Sequence, residues 1–292
     1  MPGVTGGYMK RAMAMLLVIL AAPAVMAQLA DGDQQWAARA EGAQNGHARA
    51  DHINAAIAAY QKAVAADPNS LEAHWKLLRT LRFKGAYVAT TNDEKKEVYG
   101  VAKQAGEQAL VLVDRRLREK GINSVSKATE QQVAEAAKAI PGVGEVFLWD
   151  SINWGEWALA YGKLAAARAG AADRIKREAT IANLVDPRLE GGSPSRVLGR
   201  LHDQTPRIPF ITGWASSKDA VRFLNDSLRI DPTNKITIVF LAEAMVANDS
   251  DTKPQAIQML KSAVAAPVDQ NYVVEQTAAL NDAKNLLKRW GA

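Results

Sequence analysis

The chain has no cysteine in 292 residues, and this absence removes several classes of protein together. Disulfide frameworks, cysteine-held zinc or iron–sulfur centres and thiol catalysis all need that side chain. Packing must therefore hold the fold. Period-two alternation bounded by turn residues is almost missing, which argues against sheets. The uncharged apolar run from Ala12 to Val25 is shorter than the roughly 20 residues that cross a bilayer, and Pro23 interrupts it.

Motifs of chemistry are equally scarce. His47, His52, His74 and His202 form no i, i+4 pair of the kind that holds zinc on a helix, and only the adjacent Asp51 places a carboxylate nearby. Gly142-Val143-Gly144 lacks the third glycine of a dinucleotide loop and follows no predicted strand. Ser124 to Lys127 spells Ser-x-x-Lys without the two companion motifs of a penicillin-binding site. The sequence thus predicts no enzyme, no metal and no cofactor. A formal charge of +5 suggests nucleic acid at first. It falls to +3 without Lys10 and Arg11, and the remaining charges alternate in sign, so no nucleic-acid partner is expected.

What is present is a composition able to bury a core, 48% hydrophobic and 23% charged, in a length that suits one large or two ordinary domains. Lys10-Arg11, the apolar run and Val25-Met26-Ala27 read as a signal peptide over 1–27, cleaved before Gln28, ahead of one helical domain over 28–292. The competing reading is a retained anchor. No cysteine lies at the cleavage point to carry a lipid, so the mature chain is expected in the periplasm or secreted.

Nearly every window from Asp31 to Trp290 places apolar residues at helical spacing among Ala, Leu, Lys, Glu and Gln, which predicts an all-α fold. A longer period lies over it. Ala56, Tyr60, Ala63 and Pro68 place a small, a large and a small residue before a helix stop, the pattern of the second helix of a tetratricopeptide repeat. Small residues let two helices approach, the large one fills the groove between them, and proline ends the helix. Ala220, Leu224, Ser227 and Pro232 repeat the pattern, as do Ala256, Leu260 and Ala263, with Pro267 one place early. Weaker copies lie at Ala102, Gly106 and Ala109, and at Ile175, Ala179, Ala182 and Pro187. The expected architecture is a tetratricopeptide-like helical-hairpin solenoid with insertions, the clearest at Tyr87 to Glu97 and Lys120 to Gly144.

One segment is unusually aromatic. Phe147, Trp154, Trp157 and Tyr161 fall on one helical face, with Trp149 and Asp150 off that stripe and Asn153 among them. The stretch reads either as the central core helix or as the lining of a groove for an apolar ligand. Gly192 to Gly213 is the longest stretch of low helical character, around a short helix containing Leu198-Gly199-Arg200. Gly199 permits a close helix contact, Arg200 and His202 are candidates to face a pocket, and Phe210 and Trp214 are expected to tuck in as a staple.

The segment from Leu71 to Leu110, through Trp75-Lys76-Leu77-Leu78-Arg79, Phe83-Lys84-Gly85 and Asp93-Glu94-Lys95-Lys96, resembles the T component associated with TRAP transporters. So do Leu148-Trp149 through Trp157, Leu198-Gly199-Arg200 and the hairpins from Lys218 to Ala265. A distant likeness extends to the regulator of microtubule dynamics proteins. The resemblance implies a periplasmic helical protein, often trimeric, that docks with a TRAP-type substrate-binding protein and passes small, hydrophobic ligands through a pore. It carries Trp149, Asn153, Trp154, Gly199 and Arg200 over as candidate ligand-binding residues, and the aromatic stripe adds Trp157. The alternative is an envelope scaffold whose concave face holds another protein.

Overall fold

The computed structural model describes residues 23–209 and 211–292. Most of the expected leader, and Phe210, lie outside the described residues. Among these residues the fold is all α, and its only strand-like contact is an isolated bridge between Gln44 and His47. No described helix is long and apolar enough to cross a membrane.

The helices are α1 (23–37), α2 (Ala50–Ala66), α3 (Leu71–Tyr87), α4 (Asn92–Arg118), α5 (Glu130–Ala137), α6 (Val143–Tyr161) and α7 (Lys163–Arg168). They continue as α8 (Ala171–Val185), α9 (Ser193–Gln204), α10 (Ser217–Ile230), α11 (Lys235–Asn248), α12 (Lys253–Ala265) and α13 (Val273–Trp290). Residues 23–27, on the leader side of the expected cleavage point, belong to α1, and Val25 is buried in the core beside Leu29.

Local chemistry sets the helix ends. Asp67, Asp186 and Asp231 each precede a proline, which has no N–H to offer. Each carboxylate instead accepts the backbone N–H two residues on, from Asn69 at 2.9 Å, Arg188 at 2.8 Å and Thr233 at 3.2 Å. One device therefore closes α2, α8 and α10. Starts are capped in the same economical manner: Ser70, Ser216 and Asn234 accept from the third residue on, and Thr91 with Glu94 and Thr129 with Gln132 form reciprocal capping boxes.

Most helices pack on their neighbour in chain order, α2 on α3, α3 on α4, and α8 through α13 in succession. The small–large–small positions lie at these contacts and are buried, among them Ala56, Tyr60 and Ala63, and Ala220, Leu224 and Ser227. Each large side chain so placed is worth about 1.5–3 kcal/mol of transfer free energy. α6 departs from the neighbour rule by touching α3, α4, α8 and α9. It is the central helix, and its stripe is divided: Phe147 joins one core cluster, whereas Trp154 and Trp157 join another.

One boundary expectation is corrected. The segment from Tyr87 to Glu97 is no insertion but a short link, because the Thr91–Glu94 box starts α4 at Asn92. Within Gly192 to Gly213 the expected short helix is α9, with Pro194 in its first turn, where no N–H is needed. The region from Lys120 to Gly144 does contain an added element, α5, which packs on α8.

The described chain closes on itself. Arg39 Nε donates to Glu275 Oε1 at 3.2 Å, its Nη2 donates to the Asn271 carbonyl, and Asn281 Nδ2 donates to the Asn45 carbonyl at 2.9 Å. Val274 of α13 is buried in the N-terminal core cluster. This closure leaves a solvent-open cavity between the first helices and the last.

Candidate functional site

α3 faces this cavity with Arg79 and Arg82, one turn apart, and Trp75 lies one turn before Arg79. An inner chamber of about 120 Å³ lies against Arg79, Arg82, Phe83, Trp149, Glu190 and Arg196. An outer chamber of about 330 Å³ lies against Trp36, Arg39 and Tyr272. Trp36, Arg79, Glu190 and Tyr272 border both.

The cations and rings alternate. Trp36 carries Arg79 at 4.1 Å and Arg39 at 4.5 Å from its centroid, and Trp75 carries Arg79 at 4.9 Å. Such contacts orient the guanidinium planes and are worth about 0.5–2 kcal/mol each. The arginines are unequally compensated. Arg39 has Glu275 at 3.2 Å, Arg82 has Glu156 at 3.0 Å, and Arg79 has only Glu190 at 4.0 Å. Arg196 bonds Ser193 Oγ at 2.9 Å and Thr237 Oγ1 at 3.2 Å, with no carboxylate within 4.0 Å among the described residues. Burial, with Arg82 nearby, pushes its pKa down to about 10. Burial also raises Glu190, against the pull of Arg79 and Arg196.

Hydrogen-bonding capacity is left over, mostly as donors. Arg79 Nε, Arg82 Nε and Trp149 Nε1 are buried with no partner, against one such acceptor at the cavity, Glu275 Oε2. Glu190 itself has φ +46°, rare for a residue with a Cβ, and leads into Gly191 and Gly192 at +63° and +80°. This left-handed run turns the chain sharply from α8 into α9 and sets Glu190 and Arg196 on the same chamber. A Cβ on Gly192 would meet the Ser227 carbonyl at 3.0 Å, so the turn also fits closely against α10.

The residues singled out from the sequence take several places. Trp149 borders the inner chamber. Asn153 is buried, its Nδ2 donating to the carbonyls of Leu78 at 3.0 Å and Trp149 at 2.8 Å, so it ties α6 to α3. Trp154 and Trp157 pack beside Lys103, with Arg174 4.3 Å from the Trp154 centroid, away from the cavity. Gly199 is where α9 meets α10, since a Cβ would lie 2.5 Å from Leu224 Cγ. Arg200 pairs with Asp203 at 3.0 Å and Glu243 at 2.9 Å. His202 Nδ1 accepts from Ser216 N at 3.2 Å, and burial lowers its pKa. Trp214 links α8 and α9, with Nε1 donating to Asp173 at 2.9 Å and its ring edge-on to His202.

The second charged cluster lies next to Trp149 along α6. Arg174 donates to Glu107 at 2.7 Å, Asp150 at 2.8 Å and Glu178 at 3.0 Å. Burial and the neighbouring Asp150 carboxylate raise Glu178 well above the usual carboxylate range. Among the described residues no group of three His, Cys, Asp or Glu side chains is arranged to hold a metal ion.

Trp36, Arg39, Arg82, Glu190, Arg196 and Tyr272 were not legible as site residues. The available signal was the pair Arg79 and Arg82, one turn apart on the helix that begins at Leu71. No protein-family model and no curated protein matches the chain.

Proposed function

We propose that this is an exported tetratricopeptide-type binding protein, an accessory component of a TRAP-type solute uptake system, which holds or passes a small ligand in the arginine-lined cavity. The observation that carries the ligand-binding reading is the pair of solvent-open chambers, where Trp36 and Tyr272 lie beside Arg79 and Glu190. A cavity of mixed apolar wall and a few converging polar groups is the usual form of a small-molecule site. The repeat reading is supported by three buried small–large–small copies, two weaker copies beginning at Ala102 and Ile175, and three Asp-Pro stops, and export by Lys10-Arg11 with the apolar run that follows. The transport context and a trimeric assembly come from the resemblance described above, and the partner on that reading is a TRAP-type substrate-binding protein.

Native mass spectrometry of the mature protein from its own cell envelope tests this reading. The expected result is a retained small molecule that is lost in Trp36→Ala. A protein that is empty of small molecules and co-purifies only with another envelope protein would contradict it in favour of a scaffold.

A further inference from the structure

Five of the nine large apolar side chains that the described residues leave exposed lie around two links: Leu159, Tyr161 and Leu164 where α6 meets α7, and Ile208 and Ile211 between α9 and α10. The two links share one end of the molecule. Ala160 of α6, Ala165 of α7, Ala171 of α8 and Leu201 of α9 pack in one cluster, and Trp214 of the second link donates to Asp173 in the first turn of α8. Gly162, at φ +90°, breaks the helix between α6 and α7. Ala165 and Ala166 of α7 then pack inward, which leaves Lys163, Leu164, Ala167 and Arg168 on its exposed side. Leu159 is 71% exposed, Leu164 66% and Ile211 65%. Single apolar residues are ordinary on a surface, but a group of them at one end marks a contact surface.

Charge selects the kind of partner. Neither 157–172 nor 204–218 contains an acidic residue, whereas Lys163, Arg168, Arg207 and Lys218 lie within them. None of these four cations has a carboxylate within 4.0 Å among the described residues. The acidic residues that bound the second stretch, Asp203 and Asp219, pair with Arg200 and Arg222, each at 3.0 Å. Asp173 is matched by Lys176, since both meet Trp214. The start of α4 adjoins this end through Asn92 Nδ2, which donates to the Ala160 carbonyl at 3.3 Å. There Asp93, Glu94 and Glu97 stand against Lys95 and Lys96, an excess of one carboxylate that the four cations outweigh. A second copy of this chain, in a two-fold contact, would set those cations against themselves. An anionic bilayer surface accepts both features, aliphatic side chains at the headgroup boundary and Lys or Arg against lipid phosphates.

We infer that this end of the protein docks on an anionic phospholipid membrane, with Leu159, Leu164 and Ile211 entering the headgroup boundary and Lys163, Arg168 and Arg207 against the phosphates. The contact lies on the bilayer rather than across it, in keeping with the lack of any described helix able to cross. None of these residues borders the cavity, so the inference stands apart from the ligand-binding reading.

Co-sedimentation of the mature protein with vesicles of phosphatidylcholine alone, and of an equal mixture with phosphatidylglycerol, tests it. Binding to the mixed vesicles is expected to be at least about tenfold tighter, and to weaken as salt is raised. Leu159→Ser with Leu164→Ser is expected to weaken that binding about 10- to 100-fold. Lys163→Gln with Arg168→Gln and Arg207→Gln is expected to weaken it by a similar factor, about 10- to 100-fold. All five positions are exposed, and circular dichroism verifies that both variants are folded. Equal binding to the two vesicle types, or binding to neither, would overturn the inference. Unchanged binding in both variants would overturn the placement of the contact at this end. Absence of vesicle binding, together with self-association in analytical ultracentrifugation that the leucine substitutions abolish, would assign the surface to a second copy instead.

Discussion

Trp149 and Asp150 are consecutive residues of α6, and they serve two arginine clusters of opposite character. Asp150 faces Arg174, a single guanidinium shared by three carboxylates, with the Trp154 ring on Arg174. Trp149 borders the cavity, where Arg79 Nε, Arg82 Nε and its own Nε1 have no acceptor. Buried charge alone therefore does not mark a binding site. In the first cluster the excess is of acid, and a proton on Glu178 can relieve it. In the second the groups left over are donors, beside chambers bordered by Trp36 and Tyr272.

The sharpest way to break this comparison is to remove one arginine from each cluster. Arg174→Met leaves Asp150, which has 0% exposure, beside Glu178 with no cation, and is expected to destabilise the fold by about 3–5 kcal/mol in urea unfolding. Arg196→Met removes a cation that burial disfavours and is expected to change stability by no more than about 1 kcal/mol, while releasing the small molecule retained in native mass spectrometry. Equal destabilisation by the two would mean that both clusters are structural.

Between these extremes lies Gly106→Ala. A Cβ there collides with Asp150 Oδ1, so the carboxylate must move from Arg174, at an expected cost of about 1–3 kcal/mol. Glu178→Gln sharpens the acid side. Because the folded state raises the pKa of Glu178 above the ordinary 4.5, the folded chain holds this proton more tightly than the unfolded chain. The associated stability is present below pH 4.5 and declines as pH climbs from there through the raised value. Glu178→Gln should flatten that decline in thermal melts taken across the range, and an unchanged slope would place the proton elsewhere. The smallest effect belongs to Arg200→Ala. Arg200 and Glu243 are partly exposed, and the buried Asp203 carboxylate keeps the Gln204 amide as a donor, so the expected loss is about 1 kcal/mol.

How far the sequence reached follows from what each feature depends on. The copies at Ala56, Tyr60 and Ala63 or Ala220, Leu224 and Ser227 were legible because side-chain size sets how near two helices can come. The Asp-Pro stops were legible because proline removes an N–H wherever it sits. Gly199 was legible for the same local reason, and its contact with Leu224 follows. The divided stripe of α6 was not, because periodicity states which residues share a face but not how many neighbours the helix has. The cavity was least legible. Arg39 meets Glu275 across 236 residues of sequence, and only closure of the whole chain brings Trp36, Arg196 and Tyr272 together. Arg79 and Phe83 entered the sequence reading only inside a motif of resemblance, with no role assigned.

The central claim is that the space bordered by Trp36, Arg79, Glu190 and Tyr272 holds a small molecule. A crystal structure of the protein purified from its own cell envelope tests it most directly, because a retained molecule gives continuous density that separate waters do not. The account predicts such density against Trp36 and Tyr272. Both chambers filled by ordered water alone would contradict it.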